Sequence, residues 1–363
     1  MGNSPSGSEA ARSGRITHYF TDAAWIDGRA TQQLAGTADL PGMVAVAGYP
    51  DLHPGRNGPV GAAFLADRLF PSLVGNDIGC GMALFTLDLA PRKLSLDKAA
   101  RRLRALEGEW DDAPEARGFG FGTIGGGNHF CEVQTVEALT DAGAALGLAK
   151  DRLCLLVHSG SRGLGESTYR RTEGQPSLDP DSAAGRAYLA DHDRAVDWAA
   201  ANRLAIATRA ARALNADLQL VTDAPHNLVV PSGGAWLHRK GAAVATRAAV
   251  PLAGSRDSFS YLLAPTGAAD TPFASLSHGA GRKHDRASMH GRIRKTQSSL
   301  QAQIRTALGS MVLCEDPDLL IEEAGAAYKS AAGVLADLEA LGLARSIATL
   351  RPVLTYKKTV EGR

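Results

Sequence analysis

Residues 75–81 read GNDIGCG and run without a break into MALFTLDL (82–89). Asp77 and Cys80, a hard oxygen ligand and a soft sulfur ligand, stand three positions apart with glycine on three sides. Glycine lacks Cβ, so it tolerates φ > 0 and lets the backbone pass close to a bound group. The apolar run that follows has the character of a buried strand. A glycine loop carrying ligands at a strand end is the local unit, and it recurs. Glycines cluster again at 118–127 (GFGFGTIGGG), 160–165 (GSRGLG), 233–234 and 279–281, each beside a short apolar run or a histidine.

Further strand candidates are MVAVAGY (43–49), LCLLVH (153–158), LQLVT (218–222), HNLVV (226–230), AVATRAAV (243–250) and SYLLA (260–264). Between them lie Ala-rich segments with apolar positions at three- and four-residue spacing. These predict helices over 182–214, Arg294–Leu308 and Asp318–Ala340, with a first helix from about Ala23 to Leu34. Helices and strands alternate irregularly, without a repeating βαβ unit. The expectation is an α+β fold, one large domain with mixed sheets over 16–363, behind a disordered tail at 1–15.

Composition excludes several classes. No apolar run approaches the ~18 residues of a membrane span. The opening MGNSPSGSEAAR lacks the apolar core of a signal peptide, which makes the cytoplasm the expected compartment. Cys80, Cys131, Cys154 and Cys314 form no CxxC pair, which argues against a disulfide framework or a zinc finger. Net charge is +1, so any attraction for polyanions must be local.

Five histidines keep unusual company: His129 in GGGNHF, His158 in HSGSRGLG, His226 in HNLVV, His238 in HRKGA and His278 in HGAGR. Asp77, Cys80, His129, His158 and His226 would make a mixed oxygen, sulfur and nitrogen donor set suited to Mn²⁺, Fe²⁺ or Zn²⁺, with the thiolate bridging two ions. The alternative is a set of hydrogen-bonded histidines and a cysteine buried as a small hydrophobe. From Arg282 to Lys295, RKHDRASMHGRIRK sets six cations against one acid; Lys283, Arg286 and Arg292 are candidate RNA contacts, a solvated helix start being the plainer reading. A neutral His278 at the head of this run could attack a phosphoryl or nucleotidyl group.

The segments PDLHPG (50–55), DIGCG (77–81), GGGNHFCEV (125–133), HSGSRGLG (158–165), HNLV (226–229), HRKGA (238–242) and HGAGR (278–282) resemble, in order, those of the RtcB family of tRNA-splicing and RNA-repair ligases. The resemblance runs from about residue 40 to Lys357. It implies joining of an RNA 3′-phosphate or 2′,3′-cyclic phosphate to a 5′-hydroxyl, with GTP and two Mn²⁺. It also implies metal ligation by Asp77, Cys80, His129, His158 and His226, and guanylylation of His278. Contacts to GTP would come from Asn128, Phe130, Glu132, Asn227, Ser255, Ser260, Gly279, Ala280, Gly281, Arg282, Tyr328 and Lys357.

Two departures stand out. The usual PGSMG loop reads AGSRD, and 48 residues separate Cys80 from His129, fewer than in typical members. Short bacterial chains of this kind imply repair of ribosomal or transfer RNA, with an archease or a release-factor-like protein as partner. A metal-dependent RNA-end phosphoesterase and an RNA-binding paralogue without ligation are the competing readings.

Overall fold

The computed structural model describes residues 15–108, 110 and 118–359. The tail expected at 1–15 lies outside the described residues except for Arg15. The strands, in chain order, are β1 (Ile16–His18), β2 (Met43–His53), β3 (Val60–Ala66), β4 (Gly81–Leu87), β5 (Phe130–Leu139), β6 (Leu153–Ser159), β7 (Leu218–Pro225) and β8 (Asn227–Ser232). They continue as β9 (Ala235–Lys240), β10 (Ala242–Val244), β11 (Val250–Leu252), β12 (Ser260–Pro265), β13 (Ser275–Ser277), β14 (Met311–Cys314) and β15 (Ala344–Lys358).

Most of them join a large sheet in the order β11-β12-β15-β5-β6-β4-β7, with β14 beside β15. A second sheet runs β1-β2-β3-β9-β8, and β10 pairs with β13. Among the strand pairs of the described residues only β1–β2 and β14–β15 are parallel, so the architecture is mixed α/β around mixed sheets.

Alternation along the strands sorts the large sheet into two faces. Ala83, Phe85 and Leu87 of β4, Cys131 and Val133 of β5, and Leu155 and Val157 of β6 pack under Ile206, Ala207, Ala210 and Leu214 of the helix Ala183–Leu214. That helix is started by Ser182, whose hydroxyl accepts the Gly185 N–H, and stopped by Asn215 in the left-handed region. The intervening residues therefore emerge on the opposite face. Register places Met82, Phe130 and His158 in one row and Glu132 and Thr355 in the next. Burial of one face thus dictates which side chains line the other.

Four helix and strand expectations are corrected. The first helix is Gly28–Ala38, because the Asp27 carboxylate accepts the Arg29 N–H and sets its start. Segment 243–250 is two strands, since β10 pairs with β13 while β11 pairs with β12, and the chain crosses between sheets. Of 294–308 only Gln297–Ala302 is α-helical. The helix expected over 318–340 is Pro317–Glu322 and Ala331–Ala340, with a 3₁₀ turn at Gly325–Ala327 between them. The turn delivers Tyr328 to a cavity wall, a tertiary demand that overrides local propensity. Strand β15 was not expected; its Pro352 sits at a register shift, where a missing N–H does not interrupt the ladder. No helix among the described residues is long and apolar enough to cross a membrane.

Candidate active site

The ends of β4, β5, β6 and β15 border a cavity of about 560 Å³. Met82, Phe130, Glu132, His158, Thr355 and Lys357 form its floor, and Asp77, Cys80 and His226 stand at one end.

At that end the five expected ligands converge. Cys80 Sγ lies 3.3 Å from His129 Nε2 and 3.3 Å from His158 Nε2. His129 Nε2 is 2.9 Å from Asp77 Oδ2, and His158 Nε2 is 3.3 Å from His226 Nε2. They fall into two triads, Asp77–Cys80–His129 and Cys80–His158–His226, that share the sulfur.

The hydrogen bonds test whether these residues fit metal ions. His129 Nδ1 bonds the Ile124 carbonyl at 3.1 Å and His158 Nδ1 the Asn128 carbonyl at 3.2 Å. A carbonyl only accepts, so both rings are protonated at Nδ1 and present bare Nε2 lone pairs toward the sulfur. Burial pushes the Cys80 thiol well above its usual range, with the Asp77 charge adding to the effect. Burial likewise pushes His158 and His226 well below theirs, aided by neighbouring histidines. Crowded neutral imidazoles around a thiol and a carboxylate form an electron-rich pocket that cations satisfy. The donor set would suit two cations, with Asp77, Cys80 and His129 able to hold one and Cys80, His158 and His226 the other.

Backbone and buried ties hold these ligands still. Arg203 is 1% exposed. It pairs with both Asp223 oxygens at 2.6 and 2.8 Å and donates to the carbonyls of Gly79 and Ser159 at 2.8 and 2.9 Å. It thereby ties the Cys80 loop to the end of β6. Asn202 accepts the Gly122 N–H at 2.7 Å and donates to Thr123 O and Ser159 Oγ, fixing the glycine loop ahead of His129. A Cβ at Gly160 would lie 2.0 Å from Asp77 Oδ1, so glycine is what leaves room for that carboxylate.

His278 stands beside this cluster, its ring centroid 4.5 Å from that of His226. Its Nδ1 donates to Asp51 Oδ2 at 2.7 Å. Burial would raise the Asp51 carboxyl, but the hydrogen bond and charge of His278 and the charge of Lys329 hold it below the usual range. An ionised Asp51 fixes the tautomer, so Nε2 carries the lone pair. Gly281 adopts φ +70, and a Cβ there would strike the Asp51 carbonyl at 2.3 Å. The HGAGR turn packs onto β2 through that contact.

The model of the family described as tRNA-splicing ligase RtcB matches residues 33–111, 109–173 and 176–358. This chain belongs to the RtcB family. It is 43% identical over 360 residues to the RNA-splicing ligase RtcB2 of Escherichia coli, covering 93% of this chain and 94% of that protein. It is 29% identical to RNA-splicing ligase RtcB of Mycobacterium tuberculosis, over 88% of this chain and 99% of the relative. RNA-splicing ligase RtcB homolog 1 of Entamoeba dispar is 26% identical, over 90% of this chain and 81% of that protein.

In this RtcB chain the cavity is also lined by Asn128, Phe130, Glu132, Asn227, Ser255, Gly279, Ala280, Gly281, Arg282, Tyr328 and Lys357. Ser260 is placed elsewhere: it is buried, its Oγ accepts the Gly254 N–H at 3.0 Å, and it shapes the loop behind the wall. Lys283 and Arg286 reach the rim, whereas Arg292 is exposed at the end of the helix Arg286–Arg292 and lies outside the lining. Glu132 accepts from Gln134 Nε2 and Thr355 Oγ1, and burial raises its carboxyl. Asn227 accepts the Gly241 N–H at 2.8 Å and donates to Asp77 O at 3.3 Å.

Sequence reasoning missed Asp51, Arg203 and Glu323. Glu323 accepts from Arg282 and Arg286 at 3.1 Å and from the Tyr328 hydroxyl. Burial would raise it, yet Lys357, Arg282, Tyr328 and Arg286 hold it down at about 2. Asp51 stood in the PDLHPG segment with no role assigned to it, and Arg203 was visible only as an isolated charge in an Ala-rich helix. Arg256, the departure in the AGSRD loop, is buried and ties that loop to Gln303 Oε1 at 2.6 Å and Leu320 O at 3.0 Å.

Proposed function

We propose that this protein is a GTP- and Mn²⁺-dependent RNA ligase that joins a 3′-phosphate or 2′,3′-cyclic phosphate end to a 5′-hydroxyl end. The observation that carries the reading is the His278 imidazole, tethered at Nδ1 by Asp51 and bare at Nε2, in one cavity with two donor triads. The names of the relatives support RNA joining as the chemistry, and the cations at the rim suit a polyanionic strand.

His278 Nε2 attacks the α-phosphorus of GTP; the N–P bond forms as the bond to pyrophosphate breaks. Asp51 keeps the Nδ1 proton and stabilises the positive charge that develops on the ring. The GMP group then passes to an oxygen of the RNA 3′-phosphate, breaking the P–N bond. The 5′-hydroxyl attacks that activated phosphorus and GMP leaves. Asp77, Cys80, His129, His158 and His226 would hold the metals, which supply positive charge to the phosphate oxygens when bound. Lys283 and Arg286 would hold the RNA backbone, and Lys357, Glu132 and Tyr328 the base of GTP. The proposed setting is cytoplasmic repair of ribosomal or transfer RNA, with an archease or release-factor-like partner.

Incubation with α-labelled GTP and Mn²⁺, followed by denaturing electrophoresis, tests this. The label is expected to stay on the protein, to be absent from His278→Ala, and to chase onto RNA 3′-phosphate. If no label is retained, or if it persists in His278→Ala, ligation through His278 fails and a phosphoesterase or RNA-binding role replaces it.

A further inference from the structure

Asp51 holds two imidazoles. Its carboxylate takes His278, and its backbone carbonyl takes His53 Nδ1 at 2.7 Å. Because the carbonyl can only accept, His53 is protonated at Nδ1 and its Nε2 is a bare acceptor. The ring is buried and lines the cavity. Among the described residues, Nε2 has no hydrogen-bond partner.

Few bases in this cavity are free. Glu132 accepts from Gln134 and Thr355, and Glu323 from Arg282, Arg286 and Tyr328. Asp27 is occupied by Arg29 and Asp285 caps the helix Arg286–Arg292. Asp77 and three histidines form the donor triads, and His278 is the nucleophile. His284 sits on the rim among Arg282, Lys283 and Arg292. His53 is the buried base left over, and the cavity lining also includes Arg56, three residues further along the chain.

We infer that His53 is the catalytic acceptor for the RNA 5′-hydroxyl in the joining step, with Arg56 holding the phosphodiester that follows that hydroxyl. This rests on the ligase reading above. The hydroxyl oxygen bonds to the activated 3′-phosphorus as its proton passes to His53 Nε2. The phosphorus–oxygen bond to GMP breaks, GMP takes the electron pair, and the His53 proton is lost to water. A bare nitrogen can accept such a proton, whereas the cationic side chains around it cannot. Burial pushes His53 down to about 4, which keeps the ring neutral and ready to accept.

The experiment separates guanylylation from joining. Manganese-loaded wild-type and His53→Gln protein are given labelled GTP alone, and separately an RNA bearing a preformed 3′-diphosphate-guanosine end with a 5′-hydroxyl strand. For His53→Gln, labelling of His278 is expected within threefold of wild type, with joining slowed 100-fold or more in kcat, in the range of a lost general base. Arg56→Ala, at an exposed position and so independent of folding, is expected to raise KM for the 5′-hydroxyl strand severalfold and leave labelling unchanged. Joining by His53→Gln within threefold of wild type overturns the inference. So does an equal loss of labelling and joining. If His53→Gln instead erases a wild-type preference for GTP over its deoxyribose analogues in labelling, the ring serves the nucleotide's sugar and the inference fails. Absence of label in wild type would sink the ligase reading itself, a separate outcome.

Discussion

Asp51 Oδ2 receives two hydrogen bonds from one residue, His278 Nδ1 at 2.7 Å and the His278 backbone N–H at 3.1 Å. Side chain and backbone are gripped together, so the ring can neither rotate nor change tautomer without breaking a buried charge-assisted bond. Asp51→Asn keeps the shape but offers an amide that can donate to Nδ1 and move the proton to Nε2. The rate of His278 labelling by GTP is expected to fall ~10²–10⁴-fold, the range for a misplaced acid–base partner, while metal content stays equal to that of wild type. A variant that labels within threefold of wild type would show that Asp51 does not set the tautomer.

Gly160 gives a test of the metal end. In Gly160→Ala the new methyl would meet Asp77 Oδ1 at 2.0 Å and Cγ at 2.5 Å, so the carboxylate must swing away. Metal affinity of the Asp77-containing triad is expected to weaken at least ~10-fold, as for other changes that misorient a ligand. Titration followed by elemental analysis would read this as one tight and one weak ion per chain. Two tight ions in the variant would contradict the assignment of Asp77.

Much of the site was legible because its signals are local. The glycine loops, the apolar strands and the histidines adjacent to them lie within a few residues of one another, and the five residues expected as ligands, from four separate stretches of chain, lie together. Asp51 was hidden because its partner is 227 residues away, a pairing that spacing cannot show. In the basic run from Arg282, where a solvated helix start was the plainer reading beside RNA contact, Arg282 is engaged inside the fold by Glu323, the Glu322 carbonyl and the His284 carbonyl. Arg256, the departure in the AGSRD loop, is buried and braces that loop. Charge in a sequence does not announce whether its partner is a ligand or another residue.

Arg203 offers a stability test. Arg203→Met removes a buried guanidinium and leaves Asp223 and two carbonyls without their donor. Breaking one side of such a pair costs roughly 3–5 kcal/mol. The urea midpoint should fall accordingly, and metal content with it, since the same side chain ties the Cys80 loop to β6. A loss below ~1 kcal/mol would mean that the loop is held by other contacts.

Acid sensitivity follows from a buried histidine outside the two donor triads. His238 accepts the Phe70 N–H at Nε2 across 2.9 Å and faces the Phe64 carbonyl with Nδ1, so both nitrogens are used by the neutral ring. Burial pushes it down to about 4 from 6.5. Between those values the unfolded chain binds more protons than the folded one, so stability is fully present above pH 6.5 and drains away as pH falls toward 4. A shift of this size corresponds to about 3 kcal/mol. Urea unfolding of wild type from pH 7 to 4.5 should show the decline, and His238→Gln should be less stable at pH 7 but lose less on acidification. Parallel pH profiles for the two proteins would place the acid lability in other groups.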